Sequence, residues 1–352
     1  MAEEFELFVP GRNCLFGEHS DWAGGHRRQN SGLEKGYAIV AQTNQGIYAK
    51  VKRRDDKKLV VKSTLDNKVF EIELEKKGLR KRAEEGGIFS YVSGVAYYII
   101  DNYDNEHIRG LEIDNYKTTL PAKKGLSSSA AICVLTARAF NKLYALKLKP
   151  EDEMELAYKG EILTPSRCGR MDQACAFSNP VLMTFDGDFI ETEELKVGND
   201  INLVIVDLHK GKDTKKILGA LHKSFPFAIN EEDSKVQYYL GEINKNIIFD
   251  ARNAIREGDN CKIGALMRTT QELFDYYLMN KCEELIAPKL HSVIKYCKDS
   301  RLVYGGKGIG SGGDGCAQFV AKGKEEQQEL IRVLDNSDFD VSCYELDIKR
   351  NI

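Results

Sequence analysis

The stretch Pro10–His26, PGRNCLFGEHSDWAGGH, gathers one arginine, one glutamate, two histidines and one aspartate among four glycines. A chain that only had to turn here would not need Arg12, Glu18, His19 and Asp21 together. They supply a fixed cation, carboxylate acceptors and an imidazole, groups suited to holding a polar small molecule. A second segment, Gly125–Ala131 (GLSSSAA), sets a glycine and three serines ahead of small alanines. At a helix start these offer free backbone N–H groups, hydroxyl donors and the positive end of the helix dipole, an anion site whose usual guest is phosphate. A plain N-cap needs one serine; three, with alanines behind them that permit close approach, favour phosphate.

Two further clusters stand out. GGKGIGSGGDG (305–315) contains a formal GxGxxG at Gly308, Gly310 and Gly313. A dinucleotide fold needs a helix to follow, yet CAQFVA (316–321) alternates like a strand, so the Rossmann reading is rejected. So many glycines still mean a backbone that turns tightly or comes close to something. In TPSRCGRMDQACAF (164–177), Asp172 is flanked by Arg167 and Arg170. Taken alone, it reads as a structural ion pair or a catalytic carboxylate. The P-loop pattern GxxxxGK[ST] is absent from the sequence.

Positioning these groups requires regular elements. Phe5–Val9 predicts a strand and Tyr37–Lys52 one or two more, with another at Leu111–Thr119. Ile88–Tyr103 has helical apolar spacing. After Leu126 the apolar positions Ala131, Ile132, Leu135, Ala139 and Leu143 keep a 3.6 period, so the serines open a helix. Glu151–Leu163, Ser234–Glu257, Lys262–Tyr277 and Ala287–Lys298 predict helices, and Asn202–Leu208, Ala317–Ala321 and Phe339–Leu346 predict strands. Helices and strands in irregular order imply an α+β fold or mixed sheets rather than a regular βαβ barrel.

The bulk composition narrows the function. The 352 residues are 42% hydrophobic and 30% charged with a net charge of −3, an ordinary globular composition that disfavours nucleic acid as a partner. The basic runs at 50–58 and 76–82 are interleaved or flanked by acids and read as solvated surface. No segment approaches the ~20 apolar residues of a membrane span, and the start MAEEFEL lacks a signal-peptide pattern. The nine cysteines include no paired CxxC spacing, so Cys168 and Cys175 read as small buried hydrophobes and the chain as a reduced, cytoplasmic protein.

Three motifs in order resemble those of the GHMP kinase superfamily, in its galactokinase-like branch: PGRNCLFGEHSDWAGG, PAKKGLSSSAA and YGGKGIGSGGDGC, spanning Pro10 to Cys316. The resemblance implies an N-terminal domain (1–198) with the ribosomal-protein-S5-domain-2-like fold and a C-terminal ferredoxin-like domain (199–352), with ATP and substrate in a cleft between them. It implies that Lys124, Gly125, Leu126, Ser127, Ser128, Ser129 and Ala130 bind the ATP phosphates. Ser128 and Glu161, eleven residues before Asp172, would hold Mg²⁺. Asp172, in CGRMDQ, matches the aspartate of the galactokinase CGIMDQ and would take the proton of the substrate hydroxyl. Arg12 would lie near it, and Gly312 and Gly313 would shape the substrate side.

GEHSDWAGG resembles the sugar-kinase pattern GEHTDYNGG rather than the mevalonate-kinase GEHAVVYG. Glu18, His19 and Asp21 are thereby assigned to substrate hydroxyls, and the expected acceptor is the C1 hydroxyl of an aldose or of an acidic or phosphorylated sugar. The alternatives are a mevalonate-pathway kinase and a non-catalytic galactokinase-like sugar sensor. His26, Arg27 and Arg28 depart from the galactokinase pattern; they are either a solvated basic turn or a contact for an acidic sugar substituent. Arg170 departs from it too, standing where galactokinases carry an aliphatic residue.

Overall fold

A computed structural model describes residues 4–63, 67–103, 107–120, 127–166 and 168–352. In chain order the first elements are β1 (Glu4–Phe16), α1 (Ser20–Gly25), β2 (Gly36–Arg54), β3 (Lys58–Ser63), β4 (Val69–Glu73), α2 (Lys76–Glu85), α3 (Ile88–Asn102), β5 (Gly110–Thr118), α4 (Ser128–Tyr144) and α5 (Pro150–Ile162). Then come β6 (Val181–Asp186), β7 (Phe189–Glu194), β8 (Ile201–Asp207), α6 (Thr214–His222), α7 (Glu231–Tyr238), α8 (Asn244–Glu257), α9 (Asn260–Leu278) and α10 (Pro288–Asp299). The last are β9 (Val303–Ile309), β10 (Cys316–Ala321), α11 (Lys324–Asp335) and β11 (Ser342–Ile348).

Two compact units emerge, one of residues 1–12 and 42–178, the other of 13–41 and 179–352. The first motif from Asn13 onward and the β6–β7 hairpin fall in the second of these units. In the first unit, β5 pairs antiparallel with the later part of β2 and parallel with β3, and β3 pairs antiparallel with β4. Helices α3, α4 and α5 supply buried side chains such as Val95, Ile99, Val134, Phe140 and Leu156. Helices α3 and α5 touch backbone to backbone: a Cβ on Gly94 would lie 2.2 Å from the Gly160 carbonyl oxygen. Helix α5 opens with Pro150 and an acidic first turn, Glu151–Glu153, which suit a fixed φ and the positive end of the dipole.

In the second unit, β6 pairs antiparallel with the start of β2 and with β7. A second, antiparallel sheet has the order β11-β8-β10-β9. Strand β8 is buried at every position, and Val204, Val206 and Phe319 pack against Leu290 and Val293 of α10 and Leu330 and Leu334 of α11.

Most expected elements are present, with informative differences. The first strand runs on through Pro10 to Phe16; as an edge strand paired with β2 it tolerates the missing proline N–H. The helix expected over Ser234–Glu257 is interrupted by a π turn, Tyr239–Ile243, between α7 and α8. No helix among the described residues is long and apolar enough to cross a membrane.

Candidate active site

In the first unit, Asp172 begins a single 3₁₀ turn, Asp172–Ala176, beside helices α4 and α5. Donors converge on its carboxylate. Oδ1 accepts from Arg12 Nε at 2.9 Å and from the Ser127 hydroxyl at 2.8 Å, and Oδ2 accepts from the Gly169 N–H at 3.2 Å. Arg12 Nη2 makes a further contact to Oδ1. Arg12 and Asp172 form an ion pair, and the charged bonds hold the carboxylate in one orientation.

Glu161 sits near the end of α5 and is fully buried. Its Oε2 accepts from Gln173 Nε2 at 2.8 Å, while Oε1 is buried and has no hydrogen-bond partner among the described residues. Burial pushes this carboxyl above the usual carboxylate range; the Ser129 hydroxyl opposes the shift and the neighbouring Asp172 charge adds to it. An oxygen stripped of water and left without a donor costs about 1–3 kcal/mol. A divalent cation would relieve that cost, and Mg²⁺ takes few protein oxygens and keeps water and phosphate oxygens. The residues present therefore fit Mg²⁺: one sequestered carboxylate oxygen and the serine hydroxyls opening α4.

Ser127, the residue before that helix, has φ +53° and gives its hydroxyl to Asp172 rather than capping the helix. Ser128 is the first residue of α4, and Ser129 is the serine whose hydroxyl bears on Glu161. Ala130 is fully buried. Lys124, Gly125 and Leu126, and also Arg167, lie outside the described residues. Arg170 is drawn to α5, bonding Glu155 at 2.5 Å and lying over the Tyr158 ring.

The second unit holds the first motif from Asn13 onward together with the glycine loop. Glu18 forms an ion pair with Lys307, whose side chain is 2% exposed. His19 Nε2–H donates to the Ser311 carbonyl at 3.2 Å, and His19 Nδ1 accepts from Trp22 Nε1 at 3.1 Å. That pattern fixes the neutral tautomer. Burial pushes the imidazole down to about 4 against the Ser311 bond, and Lys212, His222 and Lys307 lower it further. Asp21 lies half-buried in the first turn of α1, and Trp22 stacks on His222 at 4.0 Å.

Gly310, Gly312 and Gly313 have φ of +77°, +84° and +73°. A Cβ at Gly312 would also lie 2.8 Å from the Phe274 ring, so both backbone angle and space require glycine there. Asp314 anchors the loop: Oδ1 accepts from Leu290 N at 2.8 Å in the first turn of α10, and Oδ2 from Lys210 at 2.7 Å. Beneath the loop is a cavity lined in part by Glu18, Tyr239, Gln271, Phe274, Lys307 and Gly312.

The basic departure after the first motif is occupied by the fold itself. Arg27 Nε bonds Asp186 at 2.6 Å and its Nη1 the Ser31 carbonyl at 2.9 Å; Arg28 bonds Asp188 at 3.1 Å. His26 faces Gln29 at 3.3 Å and His222 at 3.4 Å. Carboxylates of the β6–β7 hairpin thus pair with both arginines. Sequence reasoning passed over Gln173, which bridges to Glu161, and Lys307, which neutralises Glu18. Each sits inside a quoted motif, CGRMDQ and GGKGIG, and those placements were the available signal.

The chain is similar to known proteins in sequence and in fold. Residues 90–179 match the family described as GHMP kinases N terminal domain. A galactokinase of Lactobacillus helveticus is 25% identical over 97% of this chain and 93% of its own length. The crystal structure of Lactococcus lactis galactokinase complexed with galactose superimposes with TM-score 0.72 at 20% identity, over 99% of this chain and 94% of that one. The Methanococcus jannaschii mevalonate kinase structure does so with TM-score 0.73 at 20% identity, over 99% of both chains. Residues 90–179 thus match the GHMP kinase N-terminal domain, and nearly the whole chain carries the mixed α/β fold of these kinase structures.

Proposed function

We propose that the protein is an ATP-dependent kinase that moves the γ-phosphate of ATP to a sugar hydroxyl, the C1 hydroxyl of an aldose or of an acidic or phosphorylated sugar. The observation that carries this reading is Asp172, a carboxylate held by Arg12, Ser127 and the Gly169 N–H. Asp172 accepts the proton of the acceptor hydroxyl as that oxygen bonds to the γ-phosphorus, and the bond from phosphorus to the ADP oxygen breaks. Arg12 offsets negative charge beside the transferring group. To accept that proton, Asp172 exchanges one present donor for the substrate hydroxyl; the neutral Ser127 hydroxyl is the one more readily released.

Residues 124–130 are assigned to the ATP phosphates. Glu161 with Ser128 or Ser129 would hold Mg²⁺, which supplies charge neutralisation on the phosphate oxygens. Glu18, His19 and Asp21 are assigned to the sugar; the neutral His19 offers no charge, and Glu18 shares its charge with Lys307. The galactokinase relatives and the GEHSD pattern support a sugar over mevalonate, whereas the superposition on mevalonate kinase keeps that pathway as the second reading.

The test is ADP release with Mg·ATP and a panel of aldoses, uronic acids, sugar phosphates and mevalonate. Turnover of one sugar class supports the reading. Turnover of mevalonate alone transfers the protein to the second reading, and saturable sugar binding without turnover makes it a sensor.

A further inference from the structure

In the loop between β8 and α6, Lys212 lays its stem along the third glycine cluster. A Cβ at Gly315 would lie 2.6 Å from its Nζ and one at Gly310 3.6 Å away, so these glycines leave the space the lysine fills. Its ammonium donates to the Ile309 carbonyl at 3.3 Å and meets no carboxylate within ion-pair distance among the described residues. The surrounding acids are engaged elsewhere: Glu18 with Lys307, Asp314 with Lys210 and Glu284 with Lys216. Burial lowers the Lys212 pKa from its ordinary value, countered at longer range by Cys316 and Glu18. A cation withdrawn from water without a counter-charge is an unfavourable arrangement that a bound anion relieves.

Its surroundings are those of the sugar motif. The charge of Lys212 acts on His19, whose ring donates to the carbonyl of Ser311, and the Ser311 hydroxyl lies 3.3 Å from that of Thr214, the first residue of α6. Glu18 and the glycines 310, 312 and 313 line a cavity beneath the loop, and a Cβ at Gly310 or Gly313 would lie 3.6 or 3.7 Å from the Lys212 side chain. We infer that Lys212, with the Ser311 and Thr214 hydroxyls, receives an oxyanion carried by the acceptor substrate, a carboxylate or a phosphate ester on the sugar. This rests on the reading that the acceptor sits against Glu18, His19 and Asp21. It puts recognition of an acidic substituent at Lys212 rather than at His26–Arg28.

The test is calorimetric binding of D-galactose, D-glucose and D-mannose, each beside its uronate and its 6-phosphate, to the wild-type protein, Lys212→Met and Lys212→Arg. An acidic sugar is expected to bind the wild type more tightly than its neutral parent. Lys212→Met should weaken that binding about 10- to 100-fold, the range of one charge-assisted contact. Lys212→Arg should keep most of it, and neutral sugars should be unaffected. The uronate and 6-phosphate arms separate a carboxylate from a phosphate as the recognised group. The inference is overturned if no acidic sugar binds more tightly than its parent, or if Lys212→Met leaves acid binding unchanged. Turnover of a neutral sugar, with no acidic sugar bound more tightly than its parent, rejects this inference and keeps the kinase; Lys212-dependent binding of an acidic sugar without phosphoryl transfer does the reverse.

Discussion

Replacing Glu161 by glutamine should stabilise the metal-free protein while weakening its hold on Mg·ATP. The wild-type carboxylate is fully buried, has one hydrogen bond at 2.8 Å from Gln173, and has a second oxygen with no donor among the described residues. Glutamine keeps an oxygen for Gln173 and puts an NH₂ where the unmatched oxygen was, within the influence of the Ser129 hydroxyl. Removing the unsatisfied charge should return about 1–3 kcal/mol. One kcal/mol moves Tm by about 2–4 °C for a cooperative unit of 150–250 residues, so Tm should rise by several degrees.

The pH dependence has a definite sign. The folded-state pKa of Glu161 lies above its ordinary 4.5, so the protonated carboxyl favours folding. That contribution is complete below 4.5 and is lost as pH rises through the folded pKa. The advantage of Glu161→Gln should therefore be present at neutral pH and vanish in acid. The assay is thermal denaturation in EDTA across pH, repeated with Mg·ATP, whose stabilising increment should shrink in the variant. A variant less stable than wild type in EDTA at pH 7.5 would refute the argument that Oε1 is an unmet acceptor. An unchanged Mg·ATP increment would remove Glu161 from the metal site.

Asp172→Asn should lower turnover about a hundred- to ten-thousand-fold while leaving ATP binding nearly unchanged, and wild-type rates would take Asp172 out of the reaction. The His19 ring should stay neutral from pH 8 to 5 by NMR, because its pKa is lowered from 6.5 to about 4; the stability this gives is lost as pH falls through that window, and a midpoint near 6.5 would contradict the buried geometry. Lys307→Met should cost about 3–5 kcal/mol in chemical denaturation by leaving Glu18 alone, and adding Glu18→Gln should recover most of it. Equal losses in the single and double variants would show that the pair is not coupled.

The parts of the site legible in the sequence are those written in short contiguous runs. The serine run opens a helix at Ser128 as the apolar period required, and Asp172 sits in a short run whose resemblance singled it out. What could not be read depends on distant partners. Arg27 meets Asp186 across 159 positions and Lys307 meets Glu18 across 289, so a basic turn and an available sugar acceptor each became half of an internal pair. Strands such as β4, VFEIE, and β7, FIETEE, alternate over too few residues to stand apart from loops. The π turn at Tyr239–Ile243 leaves the apolar period of its helix nearly intact, and so gives no local signal.

The contact between α3 and α5 reaches further than packing. Gly160 stands next to Glu161, and a Cβ on it would lie 2.6 Å from the Val95 backbone nitrogen. The spacing of two helix backbones therefore sets the depth at which the carboxylate proposed for Mg²⁺ is presented. A methyl group added at Gly94, on a helix with no assigned substrate contact, would be transmitted through the Gly160 carbonyl as a displaced ligand. Its signature would be a higher Mg²⁺ requirement, which makes α3 the place where metal demand can drift without any change in the three motifs.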